Sequence, residues 1–123
     1  MSENSPKTVF VVDDEPIIAS TLSTILNSSS FRATAFTSTE EAIEAAELRC
    51  PDLLITDVSM PGMNGIELAA RFKSLCPNCK VLLFSGHYAT SALLDSARKQ
   101  GNDFQLLTKP IHPKDLLAAI SKM

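Results

Sequence analysis

The chain has 123 residues, 45% of them hydrophobic, which suffices for one globular domain with a core and leaves too little for a second domain. A formal net charge of −3 without a basic run argues against a nucleic-acid-binding or membrane-surface protein. No apolar stretch approaches the roughly 20 residues of a membrane helix, and the polar N-terminus does not resemble a signal peptide, so we expect a cytoplasmic protein.

The first half of the chain alternates apolar runs with amphipathic segments. Thr8–Val12 is predicted to be the first strand, and Pro16 then takes a first helical position, where a missing N–H costs nothing. A second, more polar strand is predicted over 31–36, as at a sheet edge. The spacing of Ser38 and Glu41 predicts a capping box at the start of the second helix.

The second half continues the same alternation. Strands are predicted over 52–57, Lys80–Ser85 and 103–108; helices are predicted after a turn-rich loop at 60–65, over about 88–100 with Gly101 as its stop, and from Pro113. Short strands alternating with helices predict an α/β fold with a parallel sheet. We expect a flexible tail over residues 1–6 and a single domain over 7–123.

Reactive polar groups stand at the ends of four of these strands. They are Asp13, Asp14, Asp57, Ser85 and Lys109. Because ligands bind outside the carboxyl ends of strands in an open parallel sheet, we expect these groups to meet at one edge. Three neighbouring carboxylates repel each other, and a bound Mg²⁺ would relieve that repulsion. The alternative, that acidic residues only cap strand ends and helix starts, fits Asp14 alone equally well.

This set of groups suits phosphoryl transfer. Asp57 is the candidate nucleophile, because a carboxylate can attack a phosphoryl group and form an acyl phosphate. Mg²⁺, or Mn²⁺ in its place, would neutralise charge on the phosphoryl oxygens. Lys109 offers a point charge to one oxygen, and the Ser85 hydroxyl offers a hydrogen bond to another.

Four motifs together resemble the response-regulator receiver domains of bacterial two-component signalling, the family of the chemotaxis response regulator. They are Val12-Asp13-Asp14-Glu15-Pro16, the segment 57–65, Ser85-Gly86 and Lys109-Pro110, within a likeness that spans about residues 7 to 122. The resemblance implies a flavodoxin-like (βα)5 three-layer sandwich with a five-stranded parallel sheet of order 2-1-3-4-5. It also implies a phosphohistidine donor on a sensor histidine kinase or a phosphotransfer protein.

The resemblance further implies a role for each matching acidic position. Asp57 matches the phosphoacceptor, and Asp14 and Asp57 match direct Mg²⁺ ligands. Asp13 matches the acid that acts mainly through water, and the backbone carbonyl of Ser59 matches the third protein ligand. Among the phosphate-binding positions, Lys109 matches the phosphate-contacting lysine, and Ser85 matches the switch hydroxyl. Gly86 directly follows Ser85 in the motif.

The chain departs from the family at one position of the expected switch. The family usually carries Tyr or Phe three residues before the lysine, and this chain has Leu106 there. Tyr88 and Phe104 are the aromatic residues that could substitute, or Leu106 itself could shift. A surface position for Tyr88 and a core position for Phe104 are the alternatives to a switching role.

Several functions fit these residues. The leading hypothesis is a stand-alone receiver that signals to an unknown downstream protein through the helix at 88–100, the fifth strand and the C-terminal helix, as a monomer or weak dimer. A phosphoryl shuttle or sink in a phosphorelay needs the same site, and a non-switching scaffold receiver is favoured only by Leu106. An aspartate-nucleophile phosphohydrolase usually needs Asp-x-Asp after the first strand, which is not present here, so we do not expect an enzyme.

The three cysteines are Cys50, Cys76 and Cys79. An odd number of cysteines in an acidic chain predicts reduced thiols. Cys76 and Cys79 form a C-x-x-C pair at the end of a helix rather than at its start, so a redox motif is disfavoured. A redox-sensitive disulfide within this pair is the alternative, and a zinc site would need two further ligands.

Overall fold

The computed structural model describes residues 7–86, 95, 98–99, 104–109 and 111–122. Strands and helices alternate through these residues. In chain order they are β1 (Thr8–Val12), α1 (Pro16–Asn27), β2 (Arg32–Phe36), α2 (Thr39–Leu48), β3 (Leu53–Asp57), α3 (Gly65–Leu75), β4 (Lys80–Ser85), β5 (Gln105–Thr108) and α4 (Pro113–Ser121).

The five strands form one parallel sheet in the order β2-β1-β3-β4-β5, which confirms the predicted topology. The three central strands are almost entirely buried, and β2 is partly exposed at one edge, as its polar sequence predicted. The near-continuous apolar runs of the central strands follow from this arrangement, because helices cover both faces of the sheet.

Alternate strand residues face two separate cores. Val12, Leu54 and Leu83 pack on one face with residues of α2 and α3, such as Phe72. The other face holds Val9, Val11, Ile55, Leu82 and Phe84 against α1 and α4, with Leu22, Leu26 and Leu116. The result is the expected three-layer sandwich, in which close packing fixes the ends of the buried central strands.

The helix starts agree well with the sequence signals. Pro16 and Pro113 both stand in the first turn of their helices. Ser38 Oγ accepts a hydrogen bond from the Glu41 N–H at 3.3 Å, which is one half of the predicted capping box. A complete capping box forms at α3, where Asn64 and Glu67 bond reciprocally at 2.8 and 2.9 Å.

Some predicted boundaries shift. The second and third strands begin one residue later than predicted, at Arg32 and Leu53, and the fifth begins at Gln105 rather than at residue 103. Of the helix predicted over 88–100, the structure describes residues 95, 98 and 99, which are helical; Gly101 and the tail over 1–6 lie outside the described residues. Among the described residues, no helix is long and apolar enough to cross a membrane.

The cysteines contradict the sequence-based expectation. Cys50 and Cys76 form a disulfide with Cα atoms 5.8 Å apart, so the prediction of three reduced thiols is wrong. Cys79 is free and buried in the core, so the C-x-x-C pair is not the one that closes. The reason is tertiary: α2 and α3 pack together, and Cys50 and Cys76 follow the last turns of these two helices.

Candidate functional site

The polar groups at the strand ends meet at one edge of the sheet, as predicted. One carboxylate oxygen from each of Asp13, Asp14 and Asp57 lies within 4.8 Å of the others. Lys109 Nζ lies 3.2 Å from Asp57 Oδ2, and the Lys109 backbone N–H donates to the Ser85 carbonyl at 3.0 Å. Residues at the ends of β1 and β5 therefore lie beside the Asp57 carboxylate, and Ser85, at the end of β4, is hydrogen-bonded to one of them.

A turn directly after β1 lets two successive aspartates face the same site. Successive side chains of an extended strand point to opposite sides, so without a turn only one of them could face the site. The Glu15 N–H donates to Asp13 Oδ1 at 2.9 Å, an interaction that folds the chain back as an Asx turn does. Asp13 is fully buried, whereas Asp14 is exposed.

The buried carboxyl group of Asp13 has a raised pKa and an oxygen without a hydrogen-bond partner among the described residues. Burial, with a smaller contribution from the charge of Asp57, raises the pKa of Asp13 from 3.8 to about 6, although the Glu15 N–H and Lys109 act in the opposite direction. Asp13 Oδ2 is buried and has no hydrogen-bond partner among the described residues. A buried acceptor without a partner is costly, so this oxygen needs a proton or a cation.

Asp57 is held through both carboxylate oxygens. The Ser59 N–H donates to Oδ1 at 3.3 Å, and Lys109 Nζ contacts Oδ2 at 3.2 Å. Lys109 Nζ also lies 5.2 Å from the centre of the Phe84 ring, within the range of a cation–π interaction. The carboxylate is thus oriented from two sides before any ligand binds.

Close backbone contact ties the loop after β3 to the start of α3. The Gly65 N–H donates to the Val58 carbonyl at 2.9 Å. A Cβ atom at Gly65 would collide with the backbone carbonyl of Asp57, so only glycine allows this approach. The turn-rich loop was predictable from the sequence, but this requirement for glycine was not. Phe84 was not predictable either, because an apolar strand sequence does not single it out.

The remaining predicted positions are placed as follows. Ser85 is buried at the end of β4, and Gly86 follows it, facing the Lys109 side chain. Leu106 is 38% exposed on the edge strand β5, whereas Phe104 packs against the core on the α2–α3 side. Tyr88 lies outside the described residues. Phe104 is partly buried against this core, and its role in a switch stays a prediction.

The acidic residues of this site fit a divalent cation. Three carboxylates offer the oxygen ligands that Mg²⁺ prefers, and Mg²⁺ needs only one or two of them directly. The buried, unpartnered Asp13 Oδ2 is the structural feature that a cation or its bound water would satisfy.

Comparison with known proteins identifies the family of this chain. Residues 9–121 match the family model described as "Response regulator receiver domain". The chain is 32% identical over 117 residues to the response regulator receiver protein CpdR of Brucella abortus, covering 95% of this chain and 96% of that protein. It is 30% identical to the probable transcriptional regulatory protein TcrX of Mycobacterium tuberculosis, of which it spans 49%. It spans 24% of the regulator NtrC of Escherichia coli.

Solved structures agree. A response regulator receiver domain protein from Clostridium thermocellum superposes with a TM-score of 0.84 at 27% identity, covering 94% of this chain and 92% of that one. The response regulator protein TrrA from Thermotoga maritima, solved in complex with Mg²⁺ and BeF, superposes with a TM-score of 0.80 at 26% identity, with 94% and 97% covered.

Proposed function

The chain belongs to the response regulator receiver family, and from that premise we propose that Asp57 accepts a phosphoryl group in a Mg²⁺-dependent reaction. Receiver domains are phosphoacceptor signalling domains that bind Mg²⁺ at an acidic pocket. The observation that carries the assignment to Asp57 is its position: a lysine contacts one of its oxygens, and two further carboxylates lie within 4.8 Å.

Each residue of the site has a proposed task. An Asp57 oxygen forms the new bond to phosphorus as the bond from phosphorus to the donor nitrogen breaks. Lys109 already contacts Oδ2, so its charge is in place for the incoming phosphoryl oxygens. Ser85, buried at the end of the neighbouring strand, donates its hydroxyl to another phosphoryl oxygen, and Gly86 leaves the approach beside it open.

Asp13, Asp14 and Asp57 are the side chains that would hold Mg²⁺, and the carbonyl of Ser59 is proposed as a further ligand. When bound, the ion neutralises charge shared by the carboxylates and the phosphoryl oxygens. Asp13 gains most from it, because its buried Oδ2 has no partner among the described residues. The division between direct contact by Asp14 and contact through water by Asp13 stays a prediction.

The phosphodonor is proposed to be a histidine-phosphorylated helix of a sensor kinase or phosphotransfer protein. An open cavity of about 510 Å³ lies directly beside Lys109. It is lined by Ile17, Ile18, Thr21, Leu22, Lys109 and Ile111. Ile17 is 79% exposed, and a donor helix covering this apolar surface would bring its phosphohistidine to Asp57.

The output is proposed to be contact with a downstream protein by a stand-alone receiver. Part of the expected output surface lies outside the described residues, and the described part is β5 with α4, where Leu106 is exposed. A shuttle or sink in a phosphorelay would use the same site. Leu106, in place of the aromatic residue, is the observation that favours a non-switching scaffold as the second candidate.

The test is phosphorylation by a small-molecule donor. The protein is incubated with acetyl phosphate and Mg²⁺, and its intact mass is recorded beside Asp57→Asn and a metal-free sample. We expect one added phosphoryl group in the complete mixture and none in either control. If the complete mixture gives no adduct and beryllofluoride causes no spectral change, the scaffold becomes the better assignment.

A further inference from the structure

The disulfide lies at the opposite end of the sheet from the phosphoryl site. Cys50 precedes β3, and Cys76 precedes β4, whereas Asp57 and Ser85 end these same two strands. A five-residue strand such as β3 is about 16 Å long, so the cross-link lies well beyond contact distance of the Asp57 carboxylate. The phosphoryl-transfer function proposed above leaves this cross-link without a role.

The two sulfur atoms of the disulfide differ in surroundings. Cys50 is an exposed residue that follows Arg49 at the end of α2. Cys76 is buried and caps the C-terminus of α3, where its N–H donates to the Phe72 carbonyl. An external thiolate can therefore approach the disulfide from the Cys50 side, and Cys76 becomes the leaving thiolate.

The third cysteine is kept out of this exchange. Cys79 follows Cys76 by three residues but lies in the core, and burial raises the pKa of its thiol to about 11. Lys73 Nζ donates to the carbonyls of Cys79 at 2.7 Å and Pro77 at 3.4 Å, which stabilises the turn that points Cys79 inward. A protonated, buried thiol is a poor nucleophile, so Cys79 does not compete for Cys76.

We propose that Cys50 and Cys76 form a reversible thiol–disulfide site that exchanges with low-molecular-weight thiols of the glutathione class. In reduction, a glutathione thiolate attacks Cys50 Sγ, the bond between the two protein sulfurs breaks, and Cys76 leaves as a thiolate that takes a proton. A second glutathione thiolate then attacks the glutathione sulfur of this mixed disulfide. This step releases Cys50 as a thiolate and forms oxidised glutathione, and oxidation follows the reverse steps.

The cross-link joins the ends of two helices that pack side by side, α2 and α3. In the oxidised form, β3, the loop after it and α3 belong to one covalently closed segment. We expect reduction to increase amide hydrogen exchange in the last turns of α2 and α3 by about tenfold or more, because these turns lose their covalent anchor. We expect phosphoryl uptake at Asp57 to change by less than about twofold, because the site lies at the other end of β3.

The test is a thiol count across glutathione redox buffers. The full-length protein is equilibrated, acid-quenched, denatured and alkylated, and the modified thiols are counted by mass. The chain has three cysteines, so we expect one free thiol at the oxidising end and three at the reducing end. Peptide mapping of the oxidised form should show the link between Cys50 and Cys76. Cys79→Ser should keep the transition, and Cys50→Ser should abolish it.

Three outcomes would overturn the proposal. Three free thiols in every buffer would mean that the disulfide does not form, and one free thiol in every buffer would mean that it is not reversible. A mapped link between Cys76 and Cys79 would mean that the wrong pair was assigned. Acetyl phosphate uptake by the two forms is measured in parallel, and a difference larger than about twofold would refute the independence of the two sites.

Discussion

Replacing Asp13 by Asn should stabilise the metal-free protein and weaken its binding of Mg²⁺. Burial raises the pKa of Asp13 from 3.8 to about 6. One pKa unit corresponds to about 1.4 kcal/mol, so ionised Asp13 reduces the free energy of unfolding by up to about 3 kcal/mol at neutral pH. An amide has no charge to bury, and its oxygen can keep the hydrogen bond from the Glu15 N–H.

The sign of the pH dependence follows from the direction of the shift. The folded state binds the Asp13 proton more tightly than the unfolded state, so this residue makes metal-free stability fall as pH rises from 3.8 to about 6. Above that range the destabilisation is complete, and below it the difference between wild type and Asp13→Asn should vanish. Saturating Mg²⁺ should also reduce the stability difference between wild type and Asp13→Asn, because the ion stabilises wild type, which binds it more tightly.

The assay is urea denaturation of wild type, Asp13→Asn and Asp14→Asn, each in chelator and in saturating Mg²⁺. Asp14→Asn is the matched control, because its carboxylate lies in the same cluster but is exposed. We expect a gain of about 1 to 3 kcal/mol for Asp13→Asn in chelator and a much smaller change for Asp14→Asn. An equal gain for both variants, or a loss for Asp13→Asn, would refute the reasoning from burial.

The other predictions concern single contacts. Gly65→Ala should destabilise the fold by about 2 kcal/mol or more in urea titrations, because its Cβ collides with backbone, while Gly86→Ala, which meets only ordinary contacts, should cost under about 1 kcal/mol. Lys109→Gln should slow phosphorylation by acetyl phosphate by about a hundredfold, whereas the exposed Lys114→Gln on α4 should not; equal rates in both variants would contradict the role of this lysine. Ile17→Asp should slow phosphotransfer from a histidine kinase but leave acetyl phosphate uptake unchanged; slowing of both reactions would place the effect in the site rather than in docking. Reduction of the disulfide, whose ends are 26 residues apart, should lower the free energy of unfolding by about 3 to 4 kcal/mol in the chain-entropy model, and a shift below about 1 kcal/mol would count against it.

It was predictable that the polar residues at the strand ends lie at one edge of the sheet, because this depends on topology alone. Asp57, Ser85 and Lys109 each end or follow a strand, and parallel strands bring their carboxyl ends to one edge whatever the details of packing. The sheet order came from the family resemblance rather than from the apolar pattern, which is consistent with several orders.

The errors concern features that depend on tertiary packing. The disulfide depends on how α2 and α3 pack, whereas the odd number of cysteines predicted reduced thiols, with a link between Cys76 and Cys79 as the alternative. The collision at Gly65 and the ring of Phe84 beside Lys109 are likewise contacts between segments distant in sequence. A local pattern signals a turn or a strand, but it carries no information about which atoms of another strand lie opposite.

Asp57 and Lys109, which have opposite charges, stand at the ends of two strands that differ in burial. Asp57 ends β3, a fully buried inner strand with hydrogen-bonded neighbours on both sides. Lys109 follows β5, a four-residue strand at the sheet edge that is largely exposed. We therefore expect a phosphoryl group added to Asp57 to displace Lys109 and β5 more than Asp57 and β3. Charge added at Asp57 would then displace the exposed edge strand β5, and the displacement would reach the surface where Leu106 is exposed.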